Sequence, residues 1–171
     1  MTIERAEPAY ELPERAMLEA WLDYERATLA VKCDGLDDNQ LRIRAVPPST
    51  MSLLGLVRHM ADVESYWFRH VLSTEADTRI YWDDDNPDGD FDDIEAADVA
   101  HDFTTWRGEC ENARAVAARM TLEDCGERTR DDGQLERISL RWVLVHMIEE
   151  YARHNGHADL LRECIDGVTG E

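Results

Sequence analysis

Residues 139–165 read SLRWVLVHMIEEYARHNGHADLLRECI. Leu140, Leu144, Met147, Tyr151, Ala158 and Leu161 recur there at steps of four and three, the spacing of one apolar face on an α-helix. His154 completes the series, so an imidazole stands where the pattern asks for a hydrocarbon. Ser139 supplies a hydroxyl cap at the start. A long helix with such a stripe needs partners of the same kind, which predicts a helical bundle whose polar site is built from inward-facing side chains.

Three other segments supply those partners. From about Pro13 to Cys33, Met17, Trp21, Tyr24, Thr28 and Val31 follow the same spacing, and Asp34-Gly35 ends the run. The break Val46-Pro47-Pro48-Ser49-Thr50 precedes a second helix, expected over Thr50 to Leu72, with Leu53, Leu56, Met60, Val63, Trp67 and Val71 as its stripe. A third resumes near Ile94 and carries Val99, Phe103, Trp106, Cys110, Ala113, Ala117 and Met120. Asp37 to Ala45 reads as a short polar segment, and Ser73 to Asp93 as a turn-rich acidic linker. No strand-like alternation of useful length is evident. The expectation is an all-α four-helix bundle forming one domain over residues 1–171.

Composition narrows the function. Among 171 residues, 38 acidic against 18 basic give a formal charge of -20, which repels phosphate backbones and anionic lipid heads. No nucleic acid and no membrane are expected as partners. The first residues, MTIERAEPAYELPERA, have neither a basic n-region nor an apolar h-region, and nothing approaches the roughly 20 apolar residues of a membrane span. A cytoplasmic location follows as an expectation. Cys33, Cys110, Cys125 and Cys164 are too scattered for a zinc knuckle or a C-x-x-C pair and read as reduced thiols.

The chemistry concentrates on two helices. Glu150 precedes His154 by one turn, roughly 40° round the helix, so both face inward about 5–6 Å apart. A carboxylate facing a core needs an arginine, a hydrogen-bond network or a metal. His59 shares the inner side of the second helix with Leu56 and Val63. Two imidazoles and one carboxylate match an open zinc site that keeps a position for water or substrate, and the same set suits nickel or iron. The bland alternative makes each histidine a hydrogen-bonded core residue. His157 and His146 lie one turn to either side and could replace a ligand or support one, while His70 and His101 read as exposed. Asp84, Asn86, Asp88, Gly89 and Glu95 fit the spacing of a calcium loop, although Pro87 and the aspartate-rich composition favour a solvated acidic loop. No elbow, phosphate loop or cysteine–histidine signature supports a covalent nucleophile.

The segments SLLGLVRHMADVESYWF (Ser52 to Phe68) and HMIEEYARHNGHADLLRE (His146 to Glu163) resemble the two signature helices of the DinB-like family. More narrowly they resemble its actinobacterial branch, related to the metal-binding domain of mycothiol-dependent maleylpyruvate isomerase. The resemblance implies helices in up-down-down-up order, frequent homodimers, and a divalent metal on His59, Glu150 and His154, with glutamate at the middle position as in that branch. That isomerase has a further C-terminal domain, and this sequence stops soon after its last helix, so isomerisation itself is not expected. The implied activity is a thiol S-transferase joining mycothiol to an electrophilic small molecule. A metal-dependent hydrolase on the same ligands, or a non-enzymatic metal-binding stress-associated bundle, are the alternatives.

Overall fold

A computed structural model describes residues 3–76, 78–130 and 132–170. In chain order they form α1 (Glu14–Cys33), the one-turn α2 (Asp38–Leu41), α3 (Leu53–Glu64) running on as a π-helical stretch (Ser65–Leu72), the one-turn α4 (Gly89–Asp92), α5 (Val99–Ala117), β1 (Cys125–Thr129), β2 (Leu135–Ser139) and α6 (Leu140–Asp166). The molecule is mostly helical, as the apolar spacing predicts. It is not wholly so, because β1 and β2 pair antiparallel from Cys125↔Ser139 to Thr129↔Leu135.

Local chemistry sets the boundaries. The Ser139 hydroxyl accepts from Trp142 N and starts α6 at the predicted place. Helix α3 is capped by Ser52, whose hydroxyl accepts from Gly55 N, two residues beyond the expected Thr50. Helix α5 begins at Val99 rather than near Ile94, because the Asp98 side chain takes the N-cap and accepts from His101 N. The polar segment after α1 contains α2, fixed by a reciprocal Asp37–Gln40 capping box.

Helix α1 packs on α6, α3 and its extension pack on α5, and α3 also meets α6. The stripes expected on α3, α5 and α6 face the core, with Leu53, Met60, Ala113, Leu140 and Met147 fully buried. The face of α1 differs from the expectation. Trp21 is 37% exposed, and Leu22, Arg26, Leu29 and Cys33 point inward instead. Arg26 is tolerated there because its Nε and one terminal nitrogen donate to both oxygens of the buried Glu64 at 2.7 Å each. Tyr151 Oη donates to Glu64 Oε1 at 2.9 Å and accepts from Trp106 Nε1 at 2.8 Å, closing a buried network. Burial, reinforced by Cys110 and Glu64, pushes the Tyr151 hydroxyl well above the phenol range.

The hairpin sits against the end of the π-helical stretch. A β-carbon at Gly126 would meet the Val71 carbonyl oxygen at 2.0 Å, so only glycine permits that seat.

The acidic linker is anchored rather than loose. Gly55, Arg58, His59 and Asp62 lie on one face of α3 and hold it. Arg58 donates to the carbonyls of Asp90 and Gly89 at 3.0 Å each. Asp62 accepts from Ile80 N at 2.8 Å and Tyr81 N at 3.2 Å. At Gly55 a β-carbon would meet Phe91 Cδ1 at 2.8 Å. Asp77 in the linker and Asp131 in the hairpin turn lie outside the described residues. The four cysteines are free, and no described helix is long and apolar enough to cross a membrane.

Candidate metal centre

Helix α3 brings His59, and α6 brings Glu150 and His154, close together, and His59 and Glu150 line a cleft that the linker also walls. One possible ligand atom from each of the three lies within 4.8 Å of the others. His154 Nε2 stands 3.6 Å from Glu150 Oε2, and the His59 and His154 rings meet edge-on with centroids 4.7 Å apart. All three are half-buried.

Each imidazole is oriented from behind. His59 Nδ1 lies 2.8 Å from Asp90 Oδ2. A carboxylate can only accept, so Nδ1 carries the proton and the Nε2 lone pair is left for the centre. Asp90 is itself buried, on α4 at the end of the linker. His154 Nδ1 lies 3.4 Å from His157 Nδ1, so with Nε2 kept for ligation the His154 Nδ1–H donates to its neighbour. Burial, with further help from His59 and His157, pushes the His154 pKa down to about 4, which keeps the ring neutral and able to ligate.

Ligands of a tetrahedral zinc at about 2.0–2.1 Å stand roughly 3.3 Å from one another. The trio is somewhat more open than this and closes with small side-chain rotations. Two imidazoles, one carboxylate and backing hydrogen bonds therefore fit a divalent metal with an open coordination position.

His157 stands beside His154, at its Nδ1, and is not in the close group with His59 and Glu150. His146 lies on the far side of Glu150, its Nε2 3.4 Å from Oε1, and with Glu149 and Glu150 forms a second close group. Its ring stacks on Trp142 and meets the edge of Trp67, each centroid 4.7 Å away. The calcium spacing gathers no comparable group among the described residues. Asp84 pairs with Arg79, Asn86 donates to Asp93, and Gly89 lies in a helical turn. Asp90 is the supporting residue that sequence reasoning missed. It is one aspartate among many in the linker, and no spacing rule distinguishes it.

Beside the trio the cleft encloses ≈ 470 Å³, bounded by α3, its π-helical extension, α6 and the linker. Burial pushes the Asp62 carboxyl on its wall up to about 6, against the pull of the two backbone N–H groups it accepts from.

Two comparisons bear on what this arrangement does. The model of the mycothiol-S-transferase family matches residues 17–167, from the first turn of α1 to the end of α6 and across the whole site. No curated protein matches the chain.

Proposed function

Because the chain belongs to the mycothiol-S-transferase family, whose model matches most of it, we propose that it transfers mycothiol to an electrophilic small molecule at the cleft over His59, Glu150 and His154. The convergence of these three side chains from two helices, with His59 and Glu150 lining an open cleft, carries the reading. They would hold a divalent metal, zinc first and nickel or iron as alternatives. A metal there supplies Lewis acidity that lowers the pKa of a bound thiol into the neutral range.

The chain's own groups do the rest. Asp90 fixes the His59 tautomer, and His157 accepts from His154. His146, its Nε2 beside Glu150 Oε1, is the imidazole outside the trio that lines the cleft, and it takes the thiol proton. The sulfur pair then forms the new S–C bond while the electrophile's leaving group departs with its bonding pair. Where the acceptor is an activated double bond, the displaced pair is protonated instead.

The architecture belongs with this proposal. The pairing of α1 with α6 and of α3 with α5 supports one DinB-like bundle over residues 1–171, in up-down-down-up order, with the anchored linker as its long crossing. Glu150 between the two histidines supports the branch related to the maleylpyruvate isomerase. The four free thiols fit a reducing cytoplasm. A homodimer is proposed as well, and light scattering tests it, since a mass near 19.7 kDa would exclude it.

The decisive experiment incubates purified protein with mycothiol and a reactive electrophile, before and after chelation and after zinc is restored. Conjugation that disappears on chelation and returns with zinc is expected. Conjugation unaffected by complete metal removal would end the metal-centred reading, and none under any condition would end the transferase reading.

A further inference from the structure

The cleft has a chemical bias of its own. Its apolar wall is Val63, Tyr66, Trp67, Trp82, Pro87 and Phe91, contributed by α3, the π-helical stretch and the linker. Trp82 is 36% exposed and lines the cleft, so its indole presents apolar surface there. It is held there, because Asp62 clamps Ile80 N and Tyr81 N immediately before it and the Arg79 guanidinium lies 5.3 Å from its ring centroid. Phe91 is pinned from the other side, packed against Gly55 with its ring centroid 5.2 Å from that of His59. Flat rings on anchored backbone therefore line the cleft beside the candidate ligands.

The polar lining is equally one-sided. Asp62, Asp88, Asp90 and Glu150 contribute carboxyl groups, and no lysine or arginine is among the lining residues. The whole chain adds a formal -20. A divalent cation on the trio would offset part of this locally and leave the outer cleft negative.

Resting on the transferase reading, we infer that the electrophile is a planar, apolar molecule without negative charge, seated against Trp82 and Phe91 with its reactive carbon toward His59. Aromatic walls take flat apolar surface in offset-stacked or edge-on contact, and the carboxylates repel an anion of the same outline. Small aliphatic electrophiles cover too little of the wall to be held.

Calorimetric titration of the full-length protein with two unreactive probes of one outline, 2-naphthalenemethanol and naphthalene-2-sulfonate, tests this without thiol or turnover. The neutral probe is expected to bind and the sulfonate to bind at least about tenfold more weakly, with the gap narrowing in high salt. Trp82→Ala should raise the dissociation constant of the neutral probe about three- to tenfold, the range for one aromatic contact, and Trp82→Phe should restore most of it. Circular dichroism confirms that both variants keep their helices. Equal or tighter binding of the sulfonate would overturn the inference, as would unchanged affinity in a folded Trp82→Ala. If the neutral probe binds as expected while mycothiol conjugates no planar electrophile, the transferase reading falls and the ligand class stands. If conjugation is robust but neither probe binds, the ligand class falls alone.

Discussion

Replacing Asp90 by alanine should loosen the metal without touching a ligand. Asp90 is buried, its Oδ2 is the hydrogen-bond partner of His59 Nδ1 at 2.8 Å, and its Oδ1 accepts from Phe91 N. Removing the carboxylate frees the His59 ring to turn and leaves either nitrogen able to carry the proton, so part of the population presents N–H to the centre. Loss of such an outer partner weakens metal affinity by about 10- to 100-fold, or roughly 1.4–2.7 kcal/mol. Asp90→Asn keeps an oxygen for the Nδ1–H but exchanges a charge-assisted bond for a neutral one. Its loss should sit at or below the lower end of that range. Competition for zinc against a chromogenic chelator reads both variants, with circular dichroism as the check on folding. Wild-type affinity in a folded Asp90→Ala would show that His59 is not a ligand or is oriented by something else.

Glu150→Gln should lose most of the bound metal, since a neutral amide oxygen is a poor donor, whereas Glu150→His should retain it; elemental analysis with melting curves separates this from a structural role, in which both variants would melt lower with unaltered metal. Arg26→Met should destabilise the fold by about 3–5 kcal/mol in urea titration by leaving the buried Glu64 charge unpaired, and adding Glu64→Gln should recover part of the loss. In metal-free protein the His154 ring, held at about 4, stays neutral where an unfolded-chain histidine at 6.5 takes up a proton. The unfolded state therefore binds more protons between these values, and this contribution to stability is lost as pH falls from about 6.5 toward about 4. Asp62, raised to about 6, acts with the opposite sign over an overlapping window, so the difference between wild type and His154→Gln isolates the histidine. A pH-independent difference would contradict the assignment.

What the sequence revealed depended on whether a contact was local. The stripes of α3, α5 and α6 and the Ser139 cap are set by residues within a turn or two of each other, and spacing found them. The true face of α1 includes Arg26, which any apolar count rejects. It is inward only because Glu64, 38 residues away, receives it. The hairpin escaped notice because CGERT and LERIS carry charged residues on short strands, and their seat depends on the absence of a side chain at Gly126. His59, Glu150 and His154 were legible as inward-facing anomalies on periodic helices. Asp90 and Trp82 were not, because linker residues obey no period and are placed by Arg58, His59 and Asp62 on another element.

That anchoring divides the labour of the molecule in a way that matters for how it changes over evolution. The candidate metal ligands stand on helices, and much of the cleft wall is linker, tied down at Ile80-Tyr81 on one side and Gly89-Asp90 on the other. Between those two knots, residues 82–88 are free to vary in shape and polarity without disturbing the chemistry below. A linker exchange confined to 82–88 should shift which electrophiles are accepted and leave zinc affinity where it was. An exchange that also replaces Asp90 should change both. On the proposed reading the acidic stretch is thus a cassette, through which one candidate metal cradle would be re-addressed to other electrophiles by changing seven residues.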